Sequence, residues 1–68
     1  MALYACGYVL HFDDGGQTEQ EILFVGELAQ CEILEGQSPE PRYRGPRVMT
    51  MARFVIRPVS DPNNIALI

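Results

Sequence analysis

Apolar and polar residues fall into blocks along this chain, and each block has its own period. Residues 2–12, Ala-Leu-Tyr-Ala-Cys-Gly-Tyr-Val-Leu-His-Phe, are largely apolar at both parities and rich in aromatic and branched side chains. That is the pattern of a strand covered on both faces. Asp13-Asp14-Gly15-Gly16 follows, a run that tolerates positive φ and folds its own side chains onto the backbone, and it predicts a hairpin reversal. Residues 17–25 begin polar, with Glu19 and Glu21 at one parity, and become apolar from Ile22 to Val25. They predict the second strand of an antiparallel hairpin.

Residues 27–35 satisfy two periods at once. Leu28, Cys31 and Leu34 recur every three residues, whereas Ala29, Cys31 and Ile33 alternate. The abundance of Leu, Ala, Gln and Glu, with Gly36 where a left-handed cap would fall, favours a short helix over a strand. Residues 37–46 carry three prolines and predict an exposed loop. A long strand is expected over 47–59, with Val48, Thr50, Ala52, Phe54 and Ile56 on a packed face. Arg47, Met49, Met51, Arg53, Val55 and Arg57 would form a partly charged one. Pro58 and Pro62 close it, and an apolar end follows at Ile65-Ala66-Leu67-Ile68.

These elements predict an α+β fold in ββαβ order, a small antiparallel sheet of about three strands with one short helix on one face. An all-β meander that closes only on dimerisation is the alternative. One small domain spans 1–59, with the proline-rich loop at 37–46, and residues 60–68 form a C-terminal tail. A 68-residue chain buries only about 60% of the surface its unfolded form exposes, so the core is thin.

Charge divides the chain. Residues 1–41 hold eight acids and no base, and residues 42–68 hold five arginines against Asp61 alone; −8 and +4 make the net −4. Such a split suits internal pairing of the halves or association between copies. If the second and third strands were neighbours, Glu19 and Glu21 would face Arg53 and Arg57. The acidic balance argues against bulk nucleic-acid or membrane-surface binding, and no apolar run reaches the roughly 20 residues that span a bilayer. Two cysteines without a leader pattern predict a reduced, cytoplasmic protein.

Candidate chemistry is sparse. His11 is the only histidine. On a strand, Cys6 lies on the opposite face from it, roughly 16 Å away at about 3.3 Å per residue, too far for a nucleophile–base pair. Cys31 with His11 stays open. Zinc spacing is absent, and the Asp-Asp-Gly-Gly run lacks the further ligands of a calcium loop and the lysine of a phosphate loop, so no metal or cofactor is expected. The loop bearing Arg42, Tyr43, Arg44 and Arg47 could clamp a phosphate or stack on a base; the simpler reading is solvated or internally paired arginines. Met49 and Met51, with Ile65, Leu67 and Ile68, form a second candidate surface, against which stands plain core filling. The resulting expectation is a non-catalytic protein-interaction or regulatory module, homodimeric, whose partners are itself and another protein, with no nucleic acid and no membrane. The alternatives are an anion or nucleic-acid binder using loop 42–47, and a small enzyme or shared-site subunit.

Overall fold

The computed structural model describes residues 2–68, a three-stranded antiparallel sheet carrying one helix. Its elements are β1 (Leu3–Phe12), β2 (Glu19–Gly26), α1 (Leu28–Gln37) and β3 (Met49–Val59), the α+β architecture and ββαβ order that the periods predict. In space the strands run β2-β1-β3. The doubly apolar strand therefore takes the middle, with Ala5 through Leu10 all buried. A strand apolar on both faces loses most by standing at an edge.

This order corrects the pairing expected between the acidic and arginine-bearing strands. β1 separates them: Tyr8 stands opposite Glu21 on one side and Phe54 on the other. Glu19 and Glu21 consequently have no cross-strand contact with Arg53 and Arg57.

Two bulges set the local register. Between Cys6 and Gly7 the β1–β2 pairing skips Leu23, and Gly7 permits the close approach, since a Cβ there would fall on the backbone carbonyl of Glu21. Between His11 and Phe12 the β1–β3 pairing skips Thr50. That second bulge breaks the even–odd division of the third strand. Val48 and Thr50, expected on a packed face, are exposed; Val55 among the arginines is buried for a separate reason, the packing of Leu67 in its cluster.

Each sheet face has its own cover. On one, Ala5, Val9 and Val55 pack with Leu67, flanked by Ile22, Val59 and Ile65. The C-terminal segment doubles back to reach them. Gln20 fastens it with both ends of its amide, Nε2 donating to the Ile65 carbonyl at 2.8 Å and Oε1 accepting from the Leu67 N–H at 2.7 Å. Leu67 is wholly buried, so this end of the chain completes the core. On the other face Tyr8, Leu10 and Phe12 pack with Leu23, Ala52, Phe54 and Tyr43 beneath α1 and the proline-rich loop. Cys31 is the one buried residue of the helix. Gly36, expected as the left-handed cap, lies inside α1; Ser38 takes that conformation at φ 49° and donates its N–H to the Glu35 carbonyl at 3.1 Å. Pro39 bars the right-handed conformation at the residue before it, which is why the helix stops there rather than at the glycine. The whole body is 15 Å across its thinnest dimension.

Candidate functional site

Loop 42–47 is built inward. Arg47 lies over the Phe12 ring with its guanidinium carbon 3.9 Å from the centroid. From there it grips the hairpin turn: Nε donates to Asp14 Oδ2 at 2.9 Å, Nη2 to Asp14 Oδ1 at 3.0 Å and to the Gln17 carbonyl at 2.8 Å, and Nη1 to Glu19 Oε2 at 3.0 Å. All three guanidinium nitrogens are thus engaged, and the side chain is only 24% exposed. The bidentate bond from Arg47, helped by the Gly16 N–H, holds the Asp14 carboxyl at about 2, below its ordinary 3.8. Tyr43 packs edge-on against Phe12 at 5.0 Å between centroids and accepts the Arg47 N–H on its hydroxyl at 3.2 Å. Glu21 receives the Arg42 N–H on both carboxylate oxygens at 2.9 Å. Of the expected site residues, then, Arg47 and Tyr43 are internal fastenings. The side chains of Arg42 and Arg44 stay at the surface, Arg44 donating only to the Tyr43 carbonyl at 2.8 Å.

Met49 and Met51 lie on β3 and both are exposed, Met51 to 50%, but they do not share the face expected of them: the bulge at Thr50 sets Met51 opposite His11 and Met49 opposite Phe12, on opposite faces of the sheet. Proline has no N–H, so Pro58 opposite Tyr4 cannot belong to a doubly bonded pair. Pairs alternate along an antiparallel ladder, which makes Ala5/Arg57, Gly7/Val55, Val9/Arg53 and His11/Met51 the bonded ones. The N–H and C=O groups of Ala52, Phe54 and Ile56 therefore point away from β1, to an edge with no strand beside it. The Thr50 bulge limits this open row at one end and Pro58 at the other. Within it, Arg57 donates to the Ile56 carbonyl at 3.1 Å, an exposed charge folded over the edge. Among the described residues the ion pairs are those of Arg47 with Asp14 and Glu19, so Arg53 and Arg57 have no carboxylate partner.

The remaining candidates separate. Cys6 and Cys31 are free and wholly buried between β1 and α1, and the Cys31 thiol donates to the Tyr4 carbonyl at 3.9 Å. Burial first, and the Cys31 thiol second, push Cys6 up to about 12, far from a reactive thiolate. His11 has the parity of Ala5 and Val9, on the face opposite the cysteines, which excludes the Cys31–His11 pair. Its Nε2 is buried without a hydrogen-bond partner. Among the described residues no three His, Cys, Asp or Glu side chains gather as metal ligands. Sequence reading did not single out Phe24, Gln30, Ile33, Leu34 and Gln37, which line a hollow of about 160 Å³ between α1 and β2, with Ile33 56% exposed. The unresolved double period of 27–35 was its one trace: a helix with so few buried side chains leaves apolar ones outside.

No protein-family model, curated protein or solved structure matches this chain. Among the described residues no helix is long and apolar enough to cross a membrane.

Proposed function

We propose that this protein is a small non-catalytic interaction or regulatory module of a reducing, cytoplasmic setting, and that it works as a homodimer through the outer edge of β3. The observation that carries this reading is the open row at Ala52, Phe54 and Ile56, flanked by exposed Met49 and Met51. Unpaired strand edges gain main-chain hydrogen bonds by adding a strand, and methionine adapts to varied partner surfaces. The row is short and closed at both ends, so it matches its own reverse when two copies meet with Phe54 opposite Phe54. Three bonded pairs then form: Ala52 with the partner's Ile56, Phe54 with the partner's Phe54, and Ile56 with the partner's Ala52. A second protein presenting an extended segment would use the same row.

The C-terminal apolar residues no longer belong to this surface, because Leu67 is spent on the chain's own sheet. Anion binding by loop 42–47 loses its main ligand to Asp14 and Glu19, so that second reading shifts to Arg53 and Arg57. Light scattering after size exclusion tests the dimer: the mass should rise from 7.6 kDa to twice that with concentration. Ala52→Pro removes an outward N–H that β1 does not use, so it should keep the monomer fold by circular dichroism and abolish the rise. A monomer at hundreds of micromolar both in the wild type and in the Arg53→Gln, Arg57→Gln double variant overturns the proposal.

A further inference from the structure

The pairing of two β3 edges sets a charge problem whose solution names a ligand. Arg53 and Arg57 share the parity of Val55, on the face where the C-terminal segment lies. Opposite them on β1 stand Val9 and Ala5, which offer no carboxylate. Asp61, the one acid of the C-terminal third, is occupied in its own turn, accepting the Asn63 N–H at 3.0 Å. With Phe54 opposite Phe54, Arg53 faces the partner's Val55 and Arg57 faces the partner's Met51. The order along the diagonal is then Arg57, the partner's Arg53, Arg53, the partner's Arg57. Diagonal neighbours in a sheet lie about 7–8 Å apart, within reach of long side chains. Other registers do no better: those moved by one residue pair set an arginine directly opposite another, and those moved by two leave arginines diagonal. Like charges so placed oppose association.

Resting on the β3-pairing reading, we propose that the dimer assembles around a small multivalent oxyanion of the diphosphate class, bound by Arg53 and Arg57 of both copies. Each arginine presents a planar fork of donors that fits phosphate oxygens two at a time. A single copy supplies two forks about 13 Å apart along the strand at roughly 3.3 Å per residue, whereas the pair supplies four in one row. The site is therefore incomplete without the partner. Drawing Arg57 toward the ligand also releases the Ile56 carbonyl that it covers, so binding the anion and opening the edge become one event. An anion that binds the dimer and not the monomer must strengthen dimerisation.

Analytical ultracentrifugation of the intact chain with sodium pyrophosphate, against sodium chloride of matched ionic strength, tests this. Pyrophosphate should tighten the dimer by about tenfold or more at concentrations well above its dissociation constant. The double variant Arg53→Gln, Arg57→Gln should dimerise without pyrophosphate and ignore it. A wild-type dimer indifferent to pyrophosphate at matched ionic strength overturns this inference and leaves strand pairing standing. A monomer in every condition, the double variant included, removes the strand-pairing reading itself. A response to a short oligothymidylate with none to pyrophosphate overturns the assignment in favour of a nucleic-acid backbone.

Discussion

On the β2 side of the central strand, Asp14, Glu19 and Glu21 are answered by Arg47 and by the Arg42 N–H, while on the β3 side Arg53 and Arg57 have no acid and Ala52, Phe54 and Ile56 turn bonding groups to solvent. The two flanking strands are bonded to the same β1 and each ends the sheet, yet the acids of β2 are stitched to the loop that follows α1, and among the described residues the arginines of β3 have no such ion pair. The difference teaches that a sequence split in charge is not resolved strand against strand. The acids of the hairpin are captured by the first arginines the chain can swing back over them. The arginines that come later, in the body of β3, form no ion pair among the described residues.

The largest break in this comparison would come from the seam that the two sides share. Gly7→Ala places a methyl group on the backbone carbonyl of Glu21, which cannot yield without opening the bulge. The expected cost is about 4 kcal/mol or more, enough to abolish the cooperative thermal transition seen by circular dichroism. Next comes the cover of the arginine-bearing face. Leu67→Ala should cost about 2–5 kcal/mol in chemical denaturation, whereas Ile68→Ala, at an exposed position, should change stability by under about 0.5 kcal/mol. Equal effects would mean that the C-terminal segment is not part of the core.

Cys31→Ser, between α1 and β1, should cost about 1–3 kcal/mol by burying a hydroxyl in place of a thiol. Neither wild-type thiol should react with a water-soluble reagent at neutral pH until the protein unfolds, as follows from full burial and the raised Cys6.

Arg47→Gln acts on the stitched side alone. Because Asp14 is held at about 2 rather than 3.8, its contribution is present above about 3.8 and lost as pH falls through 2. Tyrosine near-ultraviolet dichroism should therefore show a wild-type change over that window that Arg47→Gln lacks, with a lower melting temperature for the variant at neutral pH only. The smallest effect is a coupling of zero. Glu21→Arg and Arg53→Glu should be additive within about 0.5 kcal/mol in a double-mutant cycle, because β1 stands between them.

Most of the architecture was legible from local pattern. Apolar residues at both parities marked 2–12 as a strand covered on both faces, and Asp-Asp-Gly-Gly placed the reversal at 13–16, where Gly15 takes φ 69°. What stayed hidden depends on contacts between distant residues. The bulge at Thr50 has no local signature, so strict alternation misassigned Val48, and burial of Val55 depends on Leu67 returning over its face. Strand order was hidden too: the charges of β2 and β3 pointed to a pairing between them, whereas β1 lies in the middle. Arg47 stayed open between an external contact and internal pairing because nothing at 42–47 reveals that the loop returns over Phe12. The helix end was missed because Pro39 decides it, two residues beyond the last residue of α1.

The open edge of β3 is the centre of this account, and residue-resolved amide hydrogen exchange addresses it directly. In dilute solution the Arg53, Val55 and Arg57 amides, bonded to β1, should be protected, while those of Ala52, Phe54 and Ile56 exchange at rates near those of an unstructured chain. Raising the protein concentration should protect the second set and leave the first unchanged. Protection of Ala52, Phe54 and Ile56 already at high dilution, or none at any concentration in the wild type and the Arg53→Gln, Arg57→Gln variant alike, would contradict it.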